Sequence, residues 1–409
     1  MKRLLSLSFL LFIFCLNASG QLHFLAGSVI DESGKPLSGV EVFLSGTSRL
    51  TITDEEGIFT LSRLAVGNYQ LVAKLVGRET YHASFTLTKS AKFDITLPLN
   101  ARGLPEVVIQ PEKREMVRNA DYAMFEKAFL GQTHNSFRCK ILNPEVINIY
   151  TDPETKTLHA DSGGEYIEIE NMALGYHIRY LLEGFIIDTK KSYSYYLSQV
   201  YFQDMKGSPK KKQDWEKARR IAYGGSPQHL LKAIYENQVV EEGFQIRILT
   251  KIPNKESVSE SMYLEKRRKL DSLFAVKALR RPQYNDSLYN LGTRAHIPAY
   301  KQIVSDQTIS STSLIGRVDG PNIELKFTGD LYIRYDKERP ALGYFIPHQI
   351  KSFDKRYEDG QVSVISMREA MPMLDASGNL TNSLSLSYTG YLGWERVADM
   401  LPKDYIYQP

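Results

Sequence analysis

Residues 22–99 alternate apolar and polar side chains at a period of two, and clusters of Asp, Gly and Pro interrupt the alternation at short intervals. Successive side chains of a strand point to opposite faces, so this pattern calls for short strands with one buried face, joined by tight turns. Leu25-Ala26-Gly27-Ser28-Val29-Ile30 reads as one strand, and Asp31-Glu32-Ser33-Gly34-Lys35-Pro36 as the turn after it. In that turn Asp accepts from nearby backbone N–H groups, Gly supplies positive φ and Pro restarts extended chain. Val40, Val42 and Leu44 then point one way, and Glu41 and Phe43 the other. Thr51-Ile52-Thr53 leads into the turn Asp54-Glu55-Glu56-Gly57, followed by Ile58-Phe59-Thr60-Leu61 and by Gly67 to Ala73. The three acids of that turn lack the alternate-position oxygen ligands of a calcium loop, so they are read as turn residues. About seven such strands by Pro98 fit a β-sandwich rather than a parallel sheet.

The turn residues also carry a resemblance. Gly27-x-Val29-x-Asp31-x-x-Gly34-x-Pro36-Leu37-x-Gly39-Val40-x-Val42-x-Leu44-x-Gly46-Thr47, then Thr53-Asp54-x-x-Gly57-x-Phe59, then Gly67-x-Tyr69, resembles the carboxypeptidase-regulatory-like domain. The resemblance implies a seven-stranded transthyretin-like β-sandwich of the kind that opens exported Bacteroidetes proteins, TonB-dependent receptors among them. Gly77-Arg78 stands where the family often has Gly-Tyr. In carboxypeptidases this module is an accessory domain. The zinc site itself needs His and Glu spaced by two residues plus a distant His. None of the eight histidines has Glu at the third following position, and there is no His-Glu-x-x-His. Zinc peptidase chemistry is therefore not supported, and no metal or cofactor is expected.

Ahead of the sandwich, Lys2 and Arg3 precede an apolar run from Leu4 to Leu16 broken only by Ser6 and Ser8, and Ala18-Ser19-Gly20 follows. This is the pattern of an export signal at residues 1–20, cleaved before Gln21. The run is too short to span a bilayer comfortably. Cys15 follows Phe14 inside the run, unlike a lipid-attachment cysteine, which leaves Cys139 as the one mature thiol. It reads as a small buried hydrophobe rather than a nucleophile.

Residues 101–118 hold Gly103, Pro105 and Pro111 around an extended patch, Glu106-Val107-Val108-Ile109, and read as a linker. A similar patch precedes the plug of TonB-dependent receptors, but the residues that follow are not expected to make a barrel, because Lys- and Arg-rich helical stretches interrupt any series of alternating strands. Residues 119–409 read as a larger, strand-rich α+β domain. Ala120–Leu130 is expected to be a helix with Ala123, Met124, Ala128 and Phe129 on its apolar side and Asn119 or Asp121 as cap. Strands are expected at 146–150, 166–169, 176–182, 194–202, 323–327, 331–335, 349–353 and 362–367. Ser226-Pro227 opens a helix carrying Leu230, Leu231 and Ile234, and a second helix is expected over 259–280. Ile169-Glu170-Asn171-x-x-Leu174-Gly175-Tyr176 and Ala222-Tyr223-Gly224-Gly225-Ser226-Pro227-x-His229, with neighbouring stretches across 119–250, resemble an uncharacterised family that accompanies the same sandwich in exported Bacteroidetes proteins. That resemblance implies architecture and no mechanism.

The candidate ligand site is the turn Tyr223-Gly224-Gly225-Ser226 with His229, where backbone N–H groups at a helix N-terminus can hold an anion. The same residues equally fit a structural helix start with a neutral histidine. No catalytic residue is assigned. Asp152 with Glu154, and Glu165 with Glu168 or Glu170, are carboxylates close in sequence that also fit an exposed polar strand face. Over 201–281 there are 18 Lys and Arg against 10 Asp and Glu in a chain of net charge +4. A solvated helix face explains this, and contact with an anionic envelope surface through the 206–281 basic region is the functional alternative. An export signal argues against nucleic acid as the partner. These features describe a non-catalytic protein of the periplasm or cell surface, associated with the outer membrane, that binds a glycan or protein partner. The alternative is a hydrolase with residues scattered through 119–409. The 25 Tyr and 18 Phe against 2 Trp agree with strand-rich structure, and tyrosine is concentrated after residue 119.

Overall fold

The computed structural model describes residues 22–100, 112–188, 193–345 and 360–407. The leader at 1–20, the 106–109 patch and the strand expected at 349–353 lie outside the described residues.

The alternating segment forms seven strands: β1 (His23–Ile30), β2 (Glu41–Leu44), β3 (Leu50–Ile52), β4 (Ile58–Leu64), β5 (Gly67–Lys74), β6 (Tyr81–Leu87) and β7 (Ala91–Thr96). They make two sheets, ordered β4-β1-β7 and β3-β2-β5-β6. β1 pairs antiparallel with β4 and parallel with β7. Gly27 permits that arrangement, because a Cβ there would sit 1.7 Å from the Phe93 carbonyl oxygen. Leu25, Val29, Val40, Val42, Leu44, Phe59, Leu61 and Leu71 fill the space between the sheets. The turns form as read: Asp31 Oδ1 accepts from Ser33 N and Lys35 N, and Asp54 Oδ1 from Ile58 N.

Helix α1 (Glu112–Leu130) covers a six-stranded sheet of β8 (Cys139–Ile141), β9 (Asn148–Thr151), β10 (Thr157–Asp161), β11 (Tyr166–Asn171), β12 (Tyr176–Asp188) and β13 (Tyr193–Asp204). The 13-residue β12 is the spine: β13 pairs along its whole length, while β11 and β10 share its opposite edge. Phe125 and Phe129 form the buried face of α1, whereas Ala123 and Met124 are exposed. Phe129 meets Tyr180 at 4.8 Å and Phe125 meets Phe185 at 5.0 Å between ring centres. This corrects the expected apolar side, since two aromatic rings four residues apart bury more surface than Ala and Met. Asn119 and Asp121 are no caps, because the helix begins at Glu112. Pro144–Val146 is a 3-10 turn, so the strand expected from 146 starts at Asn148.

The chain then forms α2 (Pro209–Tyr223), α3 (Pro227–Tyr235), β14 (Phe244–Pro253), α4 (Glu260–Ala275), α5 (Arg281–Ala295) and β15 (Tyr300–Thr308). The helix expected over 259–280 is α4, which ends at Ala275 because Lys277 takes φ +56°, and a helix not expected from the sequence, α5, follows from Arg281, with Pro282 in its first turn. The remaining strands are β16 (Ile315–Asp319), β17 (Asn322–Leu325), β18 (Asp330–Tyr335), β19 (Gln361–Met367), β20 (Met373–Leu374) and β21 (Leu386–Gly390). An antiparallel sheet β15-β14-β18-β19-β21 and a small sheet β16-β17-β20 enclose a further core with α3, centred on Leu230, Ile234, Ile246, Ile333 and Ile365.

The sandwich is fastened to both later cores. Phe43 and Val72, on the outer face of its four-stranded sheet, pack against Tyr166 and Leu181 and are fully buried. The loop after β2 joins the edge of β13 through Gly46 N to Val200 O at 2.6 Å and Phe202 N to Thr47 O at 3.0 Å. Near the C-terminus, Lys403 N donates to Gly46 O, and the Asp404 carboxylate accepts from Ser48 and Arg49. Asp375 accepts from Asn68 N at 2.7 Å, and the Asn68 amide donates to Asn322 and to the Asn379 carbonyl.

Candidate functional site

A cavity of about 310 Å³ lies where the sandwich meets the six-stranded sheet. Strands β2 and β5 bring Glu41 and Lys74 to it as directly opposed residues, and β11 and β12 bring Glu168 and Arg179 in the same relation. Arg179 is the hub. Its Nη1 donates to Glu41 Oε1 at 2.6 Å and its Nε to Glu168 Oε1 at 3.3 Å, and its guanidinium lies 4.1 Å from the centre of the Tyr166 ring. Lys74 Nζ is 5.4 Å from the same ring and donates to the Gly164 carbonyl. Burial pulls the Lys74 ammonium below its usual value, against the pull of Glu165 and Glu41. Burial also raises the Tyr166 hydroxyl, and Glu41 adds to the effect, so the phenol stays protonated. His177 Nε2 lies 3.2 Å from Glu168 Oε2. The result is a buried aromatic ring faced by two cations and ringed by carboxylates, so that the cavity lining is polar and its ring face is held by Arg179.

Glu165, Glu168 and Glu170 were legible in the sequence as neighbouring carboxylates, but their setting was not. Glu168 and Glu170 stand opposite Arg179 and His177 in the β11–β12 ladder, which gives the polar strand face a cross-strand charge pattern. The available signal was Arg179 itself, a cation between Ile178 and Tyr180 in a long apolar strand. Asp152 holds a turn, its Oδ1 accepting from Glu154 N at 2.8 Å and Thr155 N at 3.0 Å.

The Tyr223–His229 turn lies between α2 and α3. Tyr223 ends α2, Gly225 takes φ +73°, and Ser226 caps α3 by accepting from His229 N at 3.2 Å. His229 is 6% exposed, and its ring is 4.9 Å from that of Tyr223. Its Nδ1 accepts from Gly225 N at 3.1 Å, so the ring proton is on Nε2, 3.0 Å from Glu242 Oε2. Burial lowers the His229 pKa although Glu242 opposes the shift. Gly224 N donates to Arg220 O and Ser226 N to Tyr223 O. The N–H groups of Gly224, Gly225, Ser226 and His229 thus all have partners within the chain.

Cys139 is half-buried, and burial, with Asp399 nearby, pushes its thiol up to about 12. Among the described residues, no three His, Cys, Asp or Glu side chains converge as metal ligands. Also among the described residues, no helix is long and apolar enough to cross a membrane.

Residues 25–109 match the family model of the CarboxypepD_reg-like domain. The sandwich, with its Gly27 crossing and its Asp31 and Asp54 turns, is the described part of that match. A TonB-dependent receptor of Formosa agariphila is 35% identical over 95 residues, which is 23% of this chain and 8% of the receptor. The chain therefore spans under a tenth of the length of that relative. Among solved structures, a type II cohesin–X–dockerin complex from Acetivibrio cellulolyticus shares 19% identity over 18% of this chain and 56% of that one, with a TM-score of 0.17. The 3-chlorocatechol 1,2-dioxygenase of Rhodococcus opacus shares 14% over 20% of this chain and 62% of that one, with a TM-score of 0.18.

Proposed function

We propose that the chain is a non-catalytic, exported protein of the bacterial envelope, in which a CarboxypepD_reg-like sandwich is a fixed accessory module and the region after it, 119–409, binds a glycan or protein partner. The observation that carries this reading is the family match at residues 25–109 behind a leader-type N-terminus. The cavity beneath the sandwich supports it: Arg179 is already paired with Glu41 and Glu168, and the exposed Glu165 at its rim leaves a polar lining that suits adhesion to a polar ligand better than attack on one. The test has two arms. Fractionation of the native cell with intact-mass measurement should place the protein in the envelope, starting at Gln21. Purified protein should bind peptidoglycan, an envelope glycan or an envelope protein saturably, and Glu165→Ala, at an exposed residue lining the cavity, should weaken that binding tenfold or more. Recovery from the cytosol with residues 1–20 retained, or turnover of a glycan or peptide by the pure protein, would overturn it.

A further inference from the structure

Residues 254–299 stand apart from every core described above. The inner half of β14 is packed, with Phe244, Ile246 and Leu249 buried, whereas Thr250 to Pro253 are exposed, as are Tyr300 to Ile303 opposite them on β15. These strands carry α4 and α5 outward as a two-helix arm. The helices meet through Phe274, stacked on Tyr284 at 4.6 Å. Tyr284 Oη donates to Asp271 Oδ1 at 2.6 Å. No side chain of α4 is buried, and on α5 Leu291 alone is. Isolated helices of this length are marginal in water, and a pair that buries so little lacks the packing that normally holds helices folded.

One face of α4 has a definite chemistry. Met262, Lys266, Lys269, Leu273 and Val276 follow one another at spacings of four, three, four and three, which places them in one line along the helix. Met262 is 44% exposed, Leu273 37% and Val276 71%, and both lysines are exposed. Lys277, Arg280 and Arg281 follow Val276 in the turn between the two helices, and Arg281 lies 5.9 Å from the centre of the Phe274 ring. Over 254–299 there are nine Lys and Arg against five Asp and Glu; Asp271 and Glu260 lie away from this face, and Glu265 flanks it, three residues from Met262 and four from Lys269.

We propose that the 254–299 arm is a peripheral membrane anchor whose Met262–Val276 face rests on an anionic lipid leaflet. Charge complementarity selects the occupant. A second copy of the arm would bring the same cations together. Protein interfaces deplete lysine, whereas at a lipid surface lysine lays its stem along apolar groups and keeps its ammonium among headgroup phosphates. Apolar side chains set between lysines on an exposed helix face match that environment. The proposal goes beyond the envelope reading and stands on the arm's geometry alone.

The test is flotation of the purified full chain with vesicles of phosphatidylcholine alone or mixed equally with phosphatidylglycerol, at low and high salt. Binding to the anionic vesicles should exceed binding to phosphatidylcholine at least tenfold and fall with salt. Lys266→Gln and Lys269→Gln should each weaken it about fivefold, the ~1 kcal/mol that each basic residue contributes at such a surface. The double variant Leu273→Ser/Val276→Ser should weaken it tenfold with the thermal melt unchanged, since both side chains are exposed. Equal affinity for both vesicle types, no binding, or insensitivity to all these substitutions would overturn the proposal. Binding to soluble polyglutamate but not to vesicles would also overturn it, in favour of an acidic protein. None of these outcomes changes the cell fractionation that tests envelope location.

Discussion

His229 and Asp399 carry the clearest residue-scale consequences. His229 is held neutral, because its Nδ1 accepts the Gly225 N–H and its ring is buried, so its folded pKa lies below the unfolded value. A depressed histidine contributes stability that is present above about pH 6.5 and is lost as pH falls through the folded pKa. His229→Phe should cost about 2 kcal/mol by leaving the Gly225 N–H without an acceptor, and should flatten the stability change between pH 7 and pH 5 in urea titrations. Asp399 is the reverse case. Burial raises its carboxyl to about 6, against hydrogen bonds from Thr133 and Asn135. The folded state keeps that proton to higher pH than the unfolded chain, so stability declines as pH rises from about 4 to about 6. Asp399→Asn keeps an acceptor for Asn135, whose Nδ2 is 2.8 Å from Oδ1. It should raise stability at pH 7 by about 2 kcal/mol and remove that decline, again measured by denaturant titration against pH. A burial-driven shift of this kind has no signature in the sequence, because the groups that bury Asp399 come from far along the chain.

At the scale of elements, α1 shows how a correct helix can be given the wrong face. Its existence was legible over 120–130, but Ala123, Met124, Ala128 and Phe129 do not share one stripe, and the packed pair is Phe125 with Phe129. Phe129→Ala should cost about 3–5 kcal/mol through the cavity it leaves against Tyr180 and Phe185, while Met124→Ala should stay within about 0.5 kcal/mol. Parallel thermal melts decide between the two faces. The Ser226-Pro227 start of α3 was legible in full, because capping is settled within four residues: Ser226 Oγ accepts from His229 N. The break between α4 and α5 carried a local signal too, in Pro282, but the stretch after Arg280 was too polar to announce α5 by periodicity.

For the whole molecule, the alternation of residues 22–99 dictated which side chains fill the sandwich but not what covers its back. Phe43 was assigned to the face opposite Val42, and there it lies, yet that face is buried against Tyr166 and Leu181. The fastening also runs through Asp375, whose carboxylate accepts from Asn68, Ser377 and Asn379 backbone N–H groups. Gly67 leaves room for it, since a Cβ there would meet Asp375 Oδ2 at 2.8 Å. Asp375→Ala strands these donors and should cost about 3 kcal/mol. It should also separate sandwich unfolding from that of the rest in calorimetry, where the unaltered chain is expected to melt in one transition. A variant that still melts in a single transition at the original temperature would count against this coupling.

What the sequence determined by itself was local: strand alternation, turn chemistry at Asp31 and Asp54, the α3 cap and the concentration of positive charge over 201–281. Each depends on residues within a few positions of one another, where backbone geometry and short-range hydrogen bonds act. Only the tertiary structure decided which outer faces are covered, that Glu41 and Glu168 share Arg179 over the Tyr166 ring, and that α4 and α5 project from the cores. Those outcomes depend on residues far apart in the chain, 138 positions in the Arg179–Glu41 bond and 307 in the Asn68–Asp375 bond. At that separation contacts are set by how whole sheets pack, and no local pattern records which surfaces will meet.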